Sequence, residues 1–216
     1  MSENREDGLI ESAKGHKQGK GADKGNTDRN LGSPFPKLRV IGIDPGLQIT
    51  GYGVIESGGG KIVVLEAGVI RPEKGEKELG ARLVSLAKGL REILADYHPD
   101  HAAMEQLYSH YQHPRTAILM GHARGVFVHE LHLANCKLVN YLPTNIKKTV
   151  TNAGRASKEQ MQYSIMRELG LNAIPDPPDV ADALAVALCH LFHIKRQNSG
   201  LEIEFHGKKT RKGSLS

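Results

Sequence analysis

Residues 40–56 read VIGIDPGLQITGYGVIE, and the fold turns on how that stretch is parsed. From Leu38 to Asp44 the chain runs LRVIGID, an apolar, β-branched segment that halts on a carboxylate followed by Pro45 and Gly46. Such a run reads as a buried strand, and proline with glycine ends it, because one lacks the ladder N–H and the other favours a turn. TGYGVIES supplies a second strand and KIVVLEAGVIRP a third, separated by the turn signals GLQI and GGG. Three strands at hairpin spacing predict an antiparallel meander.

Outward from the meander the period changes. Leu79, Leu83, Leu86, Leu90, Ile93 and Leu94 recur at helical spacing between Glu76 and Tyr97. His101 to Met104 is a short apolar strand that ends on Glu105, Pro114 to Leu133 has helical period, and KLVNYL (Lys137–Leu142) is a strand before Pro143. Thr144 is placed to cap a short helix through Val150, and Ser157 with Gln160 forms a capping box for a helix through Leu169. PPDVADALAVALCHLFHI opens a terminal helix at Pro177 and Pro178. The order βββαβαβ, then helices, predicts an α/β fold: a mixed five-stranded sheet, antiparallel then parallel, with helices on both faces. One domain spans residues 37–195.

Residues 1–36 hold too little apolar surface to offset the entropy of ordering, and they are predicted to be a disordered extension. Residues 196–216 read as a basic flexible tail that carries most of the net charge of +5. Such a tail attracts polyanions at long range, although solvated basic tails are common. Neither a signal-peptide core nor eighteen consecutive apolar residues occurs, so no membrane association and a cytoplasmic location are expected. Cys136 and Cys189 lack the spacing of a zinc site or a disulfide scaffold and read as small reduced core residues. His110/His113 and His129/His132 have a spacing that one helical face could offer a metal, but scattered half-buried histidines explain them better.

The acids carry more chemistry. Asp44 and Glu105 each end an apolar strand, and Asp179 and Asp182 share a face in the first turn of the last helix. Taken singly, aspartates there favour the helix dipole, and a glutamate at a strand end is usually solvated. Two apolar strands that both end on acids are less readily explained so. If those strands are adjacent and parallel, Asp44 and Glu105 converge on one sheet edge. Clustered carboxylates repel, and a hard divalent cation, Mg²⁺ or Mn²⁺, relieves the repulsion. Four acids are enough for two ions about 4 Å apart, the arrangement of phosphodiester hydrolysis.

GIDPG, TGYGVI, AMEQLY, GHARG and DVADALAVALCH, in this order from about Leu38 to His193, resemble the RuvC family of bacterial Holliday-junction resolvases. The resemblance implies an RNase H-like fold, a homodimer, and Mg²⁺-dependent paired nicking of four-way junction DNA in recombination and repair. Cleavage would leave 5′-phosphate and 3′-hydroxyl ends. It also implies a branch-migration motor, RuvA and RuvB, as partner. By motif, the metal ligands would be Asp44, Glu105, Asp179 and Asp182, with Lys147 and Lys158 near the scissile phosphate and Tyr108 stacking on bases. Lys148, Arg155 and Arg124 would add contacts to the DNA backbone. His122 stands where the family usually has glutamine, and the N-terminal extension lies outside the family pattern. Two other readings share features: an actin- or hexokinase-like ATPase, whose opening strand also ends on an aspartate, and a non-catalytic junction-binding relative. Roughly 160 ordered residues are few for the two domains of such an ATPase, and all four acids are present.

Overall fold

The computed structural model describes residues 10–12, 37–107 and 114–198. The meander consists of β2 (Leu38–Asp44), β3 (Thr50–Gly58) and β4 (Lys61–Ile70), each antiparallel to the next. Helix α1 (Leu79–Tyr97) crosses to β5 (His101–Glu105), and α2 (Pro114–Leu133) crosses to β6 (Lys137–Tyr141). Then come α3 (Pro143–Thr151), α4 (Lys158–Glu168) and α5 (Pro178–Asn198). From β4 the strands run in the order β4-β3-β2-β5-β6, with β5 parallel to both β2 and β6. The expected mixed sheet is therefore present. It gains one strand: β1 (Ile10–Ser12), from the segment placed outside the fold, pairs antiparallel with the free edge of β4.

Successive side chains of a strand face opposite sides, so the buried neighbours Val40 and Ile41 feed two separate cores. Ile41, Ile43, Tyr52 and Val54 pack with Leu86 and Leu90 of α1 and Phe127 and Leu131 of α2. Val40, Ile55 and Ala103 pack on the other face with Ile165 of α4 and Leu184 and Leu188 of α5. Both faces being covered explains why β2 is almost continuously apolar.

Helix α5 lies unusually close to the sheet because glycines face it. Gly42 and Gly53 are directly paired across β2 and β3. A Cβ at Gly42 would stand 2.0 Å from the Ala183 carbonyl, and one at Gly53 2.5 Å from Leu184 Cδ2. At Gly51, the partner of Asp44, it would stand 2.0 Å from the Asp179 carbonyl. Close approach of another backbone is the usual reason for glycine inside a strand. Further along α5, buried His190 bonds Tyr141 Oη through Nδ1 at 2.7 Å and His101 Nδ1 through Nε2 at 2.8 Å. These contacts tie the helix to β5 and β6.

Two expected helix starts shift. The first long helix opens at Leu79 rather than Glu76, because the Glu78 carboxylate accepts the N–H groups of Gly80 and Ala81 at 2.8 and 2.6 Å and fixes the cap there. The short helix α3 is capped by extended Leu142, not Thr144, since Pro143 takes the first helical position, where its missing N–H costs nothing. The Ser157–Gln160 capping box is present as expected. Both cysteines are buried and free. Among the described residues no helix is long and apolar enough to cross a membrane.

Candidate active site

Register places the first two acids. Ile43 pairs with Met104 in the parallel β2/β5 ladder, so Asp44 and Glu105, the next residues, leave the sheet side by side at its carboxyl edge. The Pro45–Ile49 turn that follows is pinned by Thr50, fully buried, whose hydroxyl donates to Gly46 O at 2.7 Å and accepts from Gly46 N–H at 3.1 Å. The close seat of α5 on Gly51 brings the start of the helix, with Asp179 in its first turn and Asp182 just beyond, over the end of β2.

The electrostatics record this convergence. Burial, then the charges of Asp182, Asp179 and Glu105, push the Asp44 carboxyl up to about 7, while Lys158 opposes the shift. Burial and Asp182 likewise raise Glu105, opposed by Lys147. Desolvation and like charge both penalise ionised carboxylates, so the cluster as it stands resists carrying its full negative charge. Lys158, the first residue of α4, offsets part of it through Nζ, 3.3 Å from Asp182 Oδ2.

All donors in the cluster are hard oxygens under mutual repulsion, and in charge and donor type they fit a hard divalent cation. Among the described residues no three acid, histidine or cysteine side chains already stand at ligand spacing. The acids interact through their charges, and Lys158 pairs with one of them, Asp182. Among the described residues no histidine joins the group: His129 Nδ1 lies 3.4 Å from Glu130 on α2, and His132 is exposed.

The remaining candidates separate by position. Lys147, half-buried on α3, faces the acids closely enough to influence Glu105. Lys148 on α3 and Arg155 between α3 and α4 are exposed. Tyr108, with His110 and His113, falls outside the described residues. Arg124 is half-buried on α2 and donates to Glu105 O at 2.8 Å and to Asn140 Oδ1. The sequence reading missed Thr50, Arg82 and the glycine seat of α5. Only the glycines left a signal, since Gly51 and Gly53 fall two apart on one face of a strand.

Comparison with known proteins gives a consistent picture. The family described as "Crossover junction endodeoxyribonuclease RuvC" matches residues 40–190. A protein of that name from Rhodopirellula baltica is 47% identical over 150 residues, covering 69% of this chain and 84% of that one. Another from Caldicellulosiruptor saccharolyticus is 43% identical over 155 residues, covering 71% and 92%. Thermus thermophilus RuvC in complex with Holliday junction substrate matches with a TM-score of 0.69 at 29% identity, covering 76% of this chain and 97% of that chain. The yeast mitochondrial Holliday junction resolvase, at 14% identity and a TM-score of 0.58 over 77% of this chain and 83% of its own, shares the fold alone.

Proposed function

The chain belongs to the RuvC family of crossover junction endodeoxyribonucleases, and from that premise we propose that it resolves four-way (Holliday) DNA junctions by paired, symmetric nicks. The observation that carries the reading is the meeting of Asp44, Glu105, Asp179 and Asp182 at one sheet edge, where the other three oppose the ionisation of Asp44 and Asp182 opposes that of Glu105. A phosphate-binding strand end needs one acid. Hydrolysis assisted by two cations uses several.

The four carboxylates would hold two Mg²⁺ ions, with Mn²⁺ able to replace them. When bound, such a pair supplies charge neutralisation at the scissile phosphate and lowers the pKa of the attacking water. The chain's own residues do the rest. Lys158 is 58% exposed and paired only loosely with Asp182, so its ammonium is free to exchange that carboxylate for a phosphate oxygen. Lys147 approaches from α3 beside Glu105 and adds positive charge where the transition state gathers negative charge. Lys148 and Arg155 present exposed charge for backbone contacts beyond the cleavage point, and Tyr108 supplies a ring for stacking on a base.

A homodimer would set two sites against the two symmetry-related strands of a junction, so that protein and substrate share a two-fold axis. The products would be 5′-phosphate and 3′-hydroxyl ends, suited to religation during recombination and repair in the cytoplasm, with RuvA and RuvB as the motor that moves the junction. The test is a cleavage comparison among a mobile four-way junction, linear duplex and a flap in Mg²⁺. Selective, paired nicking of the junction is expected. Equal cutting of linear duplex would contradict the reading, and nucleotide hydrolysis without DNA would favour the ATPase alternative.

A further inference from the structure

Helices α1 and α2 lie on the face of the sheet opposite α5, and each sends an arginine to the backbone beside one strand-end acid. Arg82, in the first turn of α1, donates from Nη2 to the Leu47 carbonyl at 2.9 Å. Leu47 belongs to the turn that follows Asp44, the same turn that Thr50 pins from within the sheet. Arg124 donates from Nη1 to the carbonyl of Glu105 itself at 2.8 Å and from Nη2 to Asn140 Oδ1. Asn140 lies on β6 opposite Met104, so one guanidinium ties together the ends of two parallel strands.

Neither arginine pairs with a carboxylate among the described residues. Arg82 Nε is buried there without a hydrogen-bond partner, and Arg124 is half-buried. A partly desolvated cation held only by neutral acceptors is a costly placement. A surface arginine waiting for phosphate would stay solvated and free to turn. The five fixed N–H directions of a guanidinium suit the opposite task, holding several acceptors in one rigid geometry.

We infer that Arg82 and Arg124 are positioning residues for cleavage: each fixes the backbone beside one strand-end carboxylate, and neither serves as a DNA contact. The inference rests on the junction-cleavage reading. It follows from the tolerance of such sites, in which a displacement of about 1 Å costs on the order of a hundredfold in rate. Together with the glycine seat of α5, the two arginines hold the acids from both faces of the sheet.

The test uses the full chain with Arg82→Met and Arg124→Met, which keep the apolar stem, and Arg124→Lys, which keeps the charge but cannot span two acceptors. Arg91→Met is the matched control. Arg91 joins α1 to α2 through two 2.9 Å bonds to Glu130, on a pocket also lined by His101 at the start of β5, the end opposite Glu105. Three quantities are read: single-turnover cleavage of a four-way junction in Mg²⁺, junction affinity without metal across a salt series, and melting temperature.

The two methionine variants and Arg124→Lys should cut roughly ten- to a hundredfold more slowly and need more Mg²⁺, with affinity and salt dependence as in wild type. Arg91→Met should melt lower yet cut normally. A DNA contact would show otherwise: the methionine variants would lose affinity, each with a salt slope lower by about one, and Arg124→Lys would keep most activity. Either that pattern, wild-type cleavage by the variants, or an equal rate loss in Arg91→Met would overturn the inference. Should Arg124→Met fail to fold, Arg124→Lys decides alone between the two patterns. Wild-type protein that does not cut the junction would instead overturn the proposed function.

Discussion

Substituting Gly51→Ala should damage cleavage far more than folding. The added Cβ would lie 2.0 Å from the Asp179 carbonyl oxygen, 2.4 Å from its carbon and 3.0 Å from Asp179 Cβ. The obstacle is helix backbone, which cannot rotate away as a side chain could. Restoring ordinary contact of 3.4 Å requires the first turn of α5 to move by about 1.4 Å, taking Asp179 and Asp182 away from Asp44. Overpacking of this kind costs about 1–3 kcal/mol of stability, and a shift of that size at reacting groups costs on the order of a hundredfold in rate. The assay pairs single-turnover junction cleavage at saturating Mg²⁺ with thermal unfolding, and Gly89→Ala serves as the comparison. A Cβ at Gly89 would meet the buried Ile70 Cγ2 at 2.5 Å on the other face of the sheet, so it should destabilise the fold without slowing cleavage. A folded Gly51→Ala protein that cuts within twofold of wild type would refute the claim that the seat of α5 sets the acid geometry.

Three other outcomes are expected. Asp44→Asn should stabilise the metal-free protein at pH 8. Folding raises this carboxyl from 3.8 to about 7, so the penalty for its charge grows as pH rises through that window and is complete above it, on the order of 4 kcal/mol. Melting curves at pH 4 and pH 8 check this, with the gain confined to the higher pH. Burial first, then the neighbouring His101, His193 and Lys137, hold His190 down at about 4 against an ordinary 6.5, so its contribution is present above 6.5 and lost as pH falls toward 4. A pH series of melting temperatures should therefore slope less below 6.5 in His190→Gln than in wild type. Lys158→Met should slow cleavage by at least tenfold while changing stability by less than about 1 kcal/mol, because its ion pair is largely exposed; a melt and a rate measured together check it.

Particular residues show how far the sequence carries. Asp44 and Glu105 were visible because an acid at the end of an apolar strand is chemically out of place, and their meeting needed only that β2 and β5 be parallel neighbours, which they are. The Ser157–Gln160 box was visible because capping is local. Thr144 misled because a good capping residue yields to a proline one position earlier. Arg124 was visible as a cation, but its bonds to Glu105 O and Asn140 were not. A long side chain's direction depends on which helix packs where, and in a sequence a guanidinium bound to Glu105 O looks the same as one facing solvent. The strand β1 was hidden for a related reason: three residues gain their order from the edge of β4 that they join, not from their own composition.

The central claim is that four acids gathered at one sheet edge cut DNA junctions, and its most direct measurement compares wild type with Asp44→Asn on a four-way junction in Mg²⁺, scoring cleavage and binding in the same samples. The account expects paired nicks from wild type, and from Asp44→Asn a loss of cleavage of at least a thousandfold with junction affinity retained. Normal cleavage by Asp44→Asn, or binding lost together with cleavage, would contradict it.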